Sequence, residues 1–157
     1  MALSMYVITL IKDLNGNHVV QKGINRLVPK DNQFIQNAVA AHCVKVATHR
    51  HGCCVLQHCI DHASDSRRIQ SAIKITSSAL TLVQGPYGNY VVQYNLDLND
   101  SRYSNAVIRQ FVGKVCALLV QKFSLNVIET VHFLLHYDND IFLITDGRLT
   151  VYPLGGA

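Results

Sequence analysis

The chain has 157 residues, 49% of them hydrophobic, and carries a formal net charge of +4. That length allows one domain or a short repeat array, and the apolar content excludes wholesale disorder. The mild positive charge suits a polyanionic partner without requiring one, and no stretch is long and apolar enough to span a bilayer.

At the N-terminus, residues 1–13 are apolar but show neither a basic leader nor a small-residue cleavage site. They keep the register of a repeat that runs through the chain, so they are expected to form the first helix of a repeat rather than a targeting segment. Four segments define that repeat: Gly16-Asn17-His18-Val19-Val20-Gln21, Gly52-Cys53-Cys54-Val55-Leu56-Gln57, Gly88-Asn89-Tyr90-Val91-Val92-Gln93 and Ser124-Leu125-Asn126-Val127-Ile128-Glu129, each beginning 36 residues after the one before. Upstream, Ile8, Val44, Leu80 and Cys116 correspond, as do Leu10, Val46, Leu82 and Leu118, and Ile11, Ala47, Val83 and Leu119. Downstream, Val39, Ile75 and Phe111 correspond. A period of this length is the mark of a solenoid.

Each unit reads as helical. Val20, Ile24 and Leu27 follow the spacing of one buried helical face. Turn signals precede three motifs, at Asn15-Gly16, His51-Gly52 and Gly85-Pro86-Tyr87-Gly88. Polar turns at Pro29-Lys30-Asp31, Ser64-Asp65-Ser66 and Asn99-Asp100-Ser101 predict N-caps for helices over Gln33–Ala40, Arg67–Ser77 and Arg102–Gly113. The expected fold is an all-α solenoid over residues 1–136, in which each unit stacks only on its neighbours. After Glu129 the pattern degrades: His132 stands where the other units have Ile24, Ile60 and Leu96. Residues 137–157 form a divergent, β-prone tail in which Asp146-Gly147 between two apolar runs signals a hairpin, and this tail is expected to be poorly ordered.

The motif carries chemistry at fixed places. Positions one and five, counted after the Gly or Ser, share a helical face. They hold Asn17 and Gln21, Cys53 and Gln57, Asn89 and Gln93, and Leu125 and Glu129. Position two, His18, Cys54, Tyr90 and Asn126, lies beside that face and is the candidate stacking position. Positions three and four are aliphatic throughout and are expected to point inward. Single-stranded RNA recognition needs such a set, because splayed bases stack on planar groups and present their Watson–Crick edges. An Asn/Gln pair matches the donor and acceptors of uracil, and one Gln amide matches adenine beside a small partner such as Cys53. A carboxylate accepts both donors of guanine, and Glu129 is the chain's single Glu.

These residues resemble the Pumilio (PUF) family. The stretches Asp13–Lys22, His49–Gln57, Gly88–Gln93 and Lys122–Glu129 are similar to consecutive base-reading repeats of that family in their family order, fungal-type members being the nearest in character. The resemblance covers residues 6–130 and implies a right-handed superhelical stack of three-helix units whose chain runs antiparallel to RNA. It implies the site 5′-GUAU-3′, read by Glu129, Gln93, Gln57 and Gln21. It further implies UGUA-type elements in messenger 3′ untranslated regions, repression or deadenylation machinery as partners, and control of messenger stability and translation in the cytoplasm. Two substitutions depart from the family pattern: Leu125 stands where Ser is expected beside the guanine reader, and Cys54 where Arg is common. The repeat count of four is also half the usual number, so the chain is expected to be a truncated form.

Other readings carry less. Five cysteines, Cys43, Cys53, Cys54, Cys59 and Cys116, are an odd number and point to free thiols in a reducing compartment. His49, His51, Cys53, Cys54, His58, Cys59 and His62 crowd one segment but lack a CxxC pair, so no metal or other cofactor is expected. Cys43, Cys59 and Cys116 read as core residues. Nothing marks an oxyanion hole beside a Cys/His pair, so no enzymatic activity, small-molecule substrate or membrane partner is expected. Arg50 and Lys122, two periods apart, are candidate phosphate contacts. The alternative to RNA binding is a protein-binding scaffold of the HEAT or armadillo type.

Overall fold

The computed structural model describes residues 2–98 and 100–132 in full, and the backbone of 133–137, 140–145 and 148–153. Its helices fall into units of three. The first unit has α1 (Ala2–Lys12), α2 (Gly16–Arg26) and α3 (Gln33–Ala41); the second has α4 (Cys43–Ala47), α5 (Gly52–Asp61) and α6 (Asp65–Ser77). The third has α7 (Ala79–Leu82), α8 (Gly88–Asp97) and α9 (Ser101–Phe111). The fourth has α10 (Val115–Leu119) and α11 (Leu125–Tyr137), followed by an antiparallel hairpin of β1 (Asp140–Thr145) and β2 (Arg148–Pro153) in place of a third helix. The helices that carry the motifs pack in series, α2 on α5, α5 on α8 and α8 on α11. The architecture is the α-solenoid that the period implies, and no helix among the described residues is long and apolar enough to cross a membrane.

The joint between the short helix and the motif helix explains why a small residue opens each motif. A Cβ on Gly16 would stand 2.6 Å from the Leu10 carbonyl oxygen, and one on Gly88 2.6 Å from that of Leu82. At Gly52 the Val46 carbonyl is closer still. In the fourth unit Ser124 takes the place of glycine, is fully buried, and donates its hydroxyl to the corresponding Leu118 carbonyl. Leu10, Val46, Leu82 and Leu118 are repeat mates, so one close approach recurs at every joint.

Adjacent units are tied by side chains that also recur. Lys74 donates to the Ala40 carbonyl and Gln110, its mate one period on, to the Thr76 carbonyl. Gln36 donates to the Cys59 carbonyl at 3.2 Å and Asn95 to the Thr76 hydroxyl at 3.1 Å, both within the buried core. Such bonds satisfy carbonyls that the stacking would otherwise strand. The core itself is a column of Val39, Ile75 and Phe111 from the third helices and Leu56, Val92 and Ile128 from the motif helices.

Several expectations need correction. Positions three and four point inward except at Val19, which is 64% exposed while Val55, Val91 and Val127 are fully buried. Those three are covered by the preceding unit, and among the described residues α2 has no such neighbour on that side. Leu10 is exposed for the same reason, whereas Val46, Leu82 and Leu118 are buried. Cys116 is exposed, not core, because α10 turns Val115 and Leu118 inward. Of the cap residues Asn32, Ser64 and Asp100, only Asp100 caps its helix with its side chain, accepting from the Arg102 N–H at 3.0 Å. Asn32 instead turns back to donate to the Ile24 carbonyl at 3.3 Å. Helices α6 and α9 begin earlier than predicted, at Asp65 and Ser101, and α9 ends at Phe111 because Gly113 takes a left-handed φ of 76°. In the tail, β1 and β2 pair in the register Thr145↔Arg148, so the hairpin signal at Asp146-Gly147 is met. Residues 138–139, 146–147 and 154–157 of this tail, expected to be poorly ordered, lie outside those described.

Gly52→Ala should lower stability by about 1–3 kcal/mol, because the clash is with backbone that cannot rotate away. Gly85→Ala, whose Cβ would meet only the Leu82 carbonyl at 3.7 Å, should stay within about 0.5 kcal/mol of the parent. Denaturant melts of the two variants check the difference, and equal losses would contradict the joint described here.

Candidate nucleic-acid interface

The turn before each motif helix is held by side chains that spend themselves locally. Asp13 accepts from the Gly16 and Asn15 N–H groups at 2.6 and 3.0 Å, and these bonds hold its carboxyl below the usual aspartate value. One period on, His49 plays the same part: its Nδ1 accepts from the His51 N–H at 3.2 Å. Burial, with Lys12 and His51 nearby, pushes the His49 imidazole below the usual histidine value. The neutral ring is the form that can accept this bond.

Position one also ties back to the turn. Asn17 Nδ2 donates to the Asp13 and Leu14 carbonyls at 2.9 and 2.7 Å, Asn89 Nδ2 to the Gly85 carbonyl at 2.8 Å, and Cys53 Sγ to the Arg50 carbonyl at 3.4 Å. All three residues are buried. Leu125 cannot make this tie and is exposed; one residue earlier, the Ser124 hydroxyl that bonds the Leu118 carbonyl also lies 3.4 Å from the Gln121 carbonyl. Asn17 thus keeps only its amide oxygen for a base, and that oxygen already accepts from Gln21 Nε2 at 3.1 Å, whereas Asn89 keeps its oxygen and one N–H.

Positions two and five line the open face. His18, Cys54, Tyr90 and Asn126 are exposed, Gln21, Gln57 and Gln93 are half-buried, and Glu129 is exposed. A recess of about 520 Å³ opens between α8 and α11, lined by Asn89, Tyr90, Gln93 and Asp97 from one helix and Asn126, Glu129 and Thr130 from the next. It gathers in one place a flat ring, three amides that carry donors and acceptors, a hydroxyl, and two carboxylates that only accept. Two of its members, Asp97 and Thr130, were not among the sequence candidates. Gln93 Nε2 donates to Asp97 at 3.2 Å and to the Thr130 hydroxyl at 2.7 Å. The signal for both was available, since they occupy motif positions nine and six, but their identities vary from unit to unit: Asn25, Asp61, Asp97 and Lys22, His58, Tyr94, Thr130. In the second unit the same inter-unit neighbours bond differently, Tyr94 donating its hydroxyl to Asp61; burial and this bond push the phenol up to about 12.

The candidate phosphate contacts Arg50 and Lys122 are both exposed, and the Lys122 ammonium lies 5.6 Å from the centre of the Phe123 ring. Burial pushes Cys43 and Cys53 up to about 11 and Cys59 up to about 12. These remain protonated thiols at neutral pH, the opposite of an activated nucleophile. Among the described residues no three His, Cys, Asp or Glu side chains converge on a common point.

A family model for the Pumilio-family RNA binding repeat matches residues 6–40, 42–70 and 78–109. The chain belongs to the Pumilio family. It is 52% identical over 128 residues to the Pumilio domain-containing protein C6G9.14 of Schizosaccharomyces pombe, covering 82% of this chain and 19% of that protein. It is 40% identical to the Pumilio homology domain family member 4 of Saccharomyces cerevisiae, covering 83% of this chain and 15% of the relative. Among solved structures, the Puf4 RNA binding domain bound to an HO endonuclease RNA 3′ UTR recognition sequence superposes with a TM-score of 0.77 at 37% identity, over 85% of this chain and 45% of that one. The RNA-binding domain of yeast Puf5p bound to AAT2 RNA gives 0.78 at 33% identity, over 85% and 38%. This Pumilio chain therefore spans a fifth or less of these two relatives and under half of the solved domains. The fourth motif, at 124–129, lies beyond the matched repeats, where Leu125 and the missing third helix depart from the pattern.

Because the fold favours neutral His49, its contribution to stability is complete above the ordinary histidine pKa and is lost as pH falls through that value toward the lowered one. The melting temperature should drop between pH 7.5 and 5.5. His49→Asn keeps an acceptor for the His51 N–H and cannot titrate, so it should drop less. A pair of thermal melts across this range decides it; parallel curves would remove His49 from the account.

Proposed function

We propose that this Pumilio chain binds single-stranded RNA in a sequence-selective manner, each motif helix addressing one base. The observation that carries the reading is the recess between α8 and α11, where Tyr90 offers a stacking surface beside the Gln93 amide and the Glu129 carboxylate. Support comes from the two superposed neighbours, both solved with RNA bound.

In this reading the site is 5′-GUAU-3′, with Glu129, Gln93, Gln57 and Gln21 in that order. Glu129 accepts from the two adjacent donors of guanine, where a neutral amide would leave one donor facing another. Gln93 and Gln57 supply mixed donor and acceptor edges to uracil and adenine. Tyr90 and His18 stack, while Cys54, small and not planar, contributes little stacking. Arg50 and Lys122 approach phosphates. The chain acts on UGUA-type elements in messenger 3′ untranslated regions, where repression or deadenylation factors would change messenger stability and translation. Its buried thiols fit the reducing cytoplasm.

Gln93→Glu should move the preference at the second base from uracil to guanine. One bidentate pairing is worth about 1–3 kcal/mol of discrimination, roughly five- to a hundredfold. Fluorescence anisotropy with GUAU, GGAU and scrambled oligonucleotides measures it. Equal binding of all three by the parent and the variant alike would favour a protein-binding scaffold instead.

A further inference from the structure

Gln93 is held unlike the other two glutamines of the open face. The Thr130 hydroxyl of the following unit lies 2.7 Å from Gln93 Nε2 and 2.9 Å from Gln93 Oε1, so it faces both polar atoms of the amide at once. The hydroxyl accepts from Nε2. Its single proton serves either Oε1 or the Asn126 carbonyl at 3.2 Å. The second Nε2 proton is directed to Asp97 at 3.2 Å. In the RNA-free protein both donors of this amide are therefore occupied by protein groups, and its acceptor is engaged whenever the hydroxyl proton turns to it.

The corresponding places in the other units are different. Tyr94, one period before Thr130, sends its hydroxyl to Asp61 of the preceding unit. His58 stands before Gln21, and its Nδ1 bonds the Cys54 carbonyl of its own helix at 3.1 Å while Gln21 turns to Asn17. Of the three reading amides, Gln93 is the one bonded to the occupant of motif position six in the next unit.

We propose that Thr130 sets the affinity of the base subsite at Gln93, its hydroxyl occupying the amide edge that a uracil must take. A hydroxyl that accepts from Nε2 and donates to Oε1 reproduces part of what the uracil edge offers, one carbonyl acceptor and one N–H donor. The base cannot approach the same two atoms in plane while the hydroxyl remains there. Binding exchanges a hydrogen bond within the protein for one to RNA, which lowers the net gain at this subsite. A threonine on a helix has a second accessible rotamer, so the edge opens by rotation about one side-chain bond. Thr130 is a specificity-setting residue that acts through Gln93, and this inference rests on the RNA-reading function proposed above.

The test compares the parent with Thr130→Val, which keeps the shape and removes the hydroxyl, and with Thr130→Ser, which keeps the hydroxyl. Affinities are measured for GUAU, for GCAU (changed only at the Gln93 subsite) and for a scrambled oligonucleotide. Thr130→Val should bind GUAU about two- to tenfold more tightly than the parent, the worth of one exchanged hydrogen bond. The preference for GUAU over GCAU should be kept or increased, and Thr130→Ser should match the parent. In the RNA-free protein, the Gln93 side-chain amide signals in isotope-edited NMR should shift and exchange faster in Thr130→Val. Thr130→Ala must move the same way should the valine variant fold poorly. If the parent prefers GUAU but Thr130→Val binds it equally or more weakly, the inference about Thr130 is overturned and the RNA reading stands. If the parent does not distinguish GUAU from the scrambled sequence, the RNA reading itself fails, and the role of Thr130 falls with it.

Discussion

The arrangement depends on one close approach. At the head of every motif helix a residue without a bulky side chain presses against the carbonyl of a residue six positions earlier, at Gly16, Gly52, Gly88 and Ser124. This contact fixes how the short helix meets the motif helix. The position-one side chains then tie the motif helix to the turn, through Asn17, Cys53 and Asn89. In the first three units the joint is thus held on both sides, by the close approach and by the tie to the turn. Positions two and five of the motif helices emerge on one side, spaced by the stacking of the units.

The same ties divide labour within each motif. The position-one residues do structural work first, Asn17 giving both N–H groups and Asn89 one of its two to backbone carbonyls. Position five is held differently from unit to unit. Gln21 turns to its own helix, and Gln93 meets the Thr130 hydroxyl. A one-dimensional stack lets each reading residue be tuned by a single neighbour without disturbing the rest.

Neighbour dependence also explains the ends. Val19 and Leu10 occupy positions whose mates are buried, yet they are exposed because burial at those positions is supplied by the preceding unit. In the fourth unit a hairpin stands where the other units have a third helix, and His132, on the outside of α11, replaces the aliphatic residue that such a helix would cover. Cys116 is exposed although its register position matches Ile8, because α10 is a single short turn whose inward residues are Val115 and Leu118.

Much was legible in the sequence because a repeat states the same local preferences several times. The period, the helical units, the small residue at each motif head and the two faces of the motif helix follow from spacing and residue type alone. The carboxylate of Glu129 and the ring of Tyr90 mark the open face for the same reason. Three things required the folded chain. The exposure of Val19 depends on which unit lies beside it, not on its own identity. The turn-binding role of Asn17, Cys53 and Asn89 depends on where backbone carbonyls fall after the joint closes. The engagement of Gln93 by Thr130 joins residues 37 positions apart. A hydrogen bond between units is set by the stacking distance, and a sequence read one unit at a time does not contain that distance.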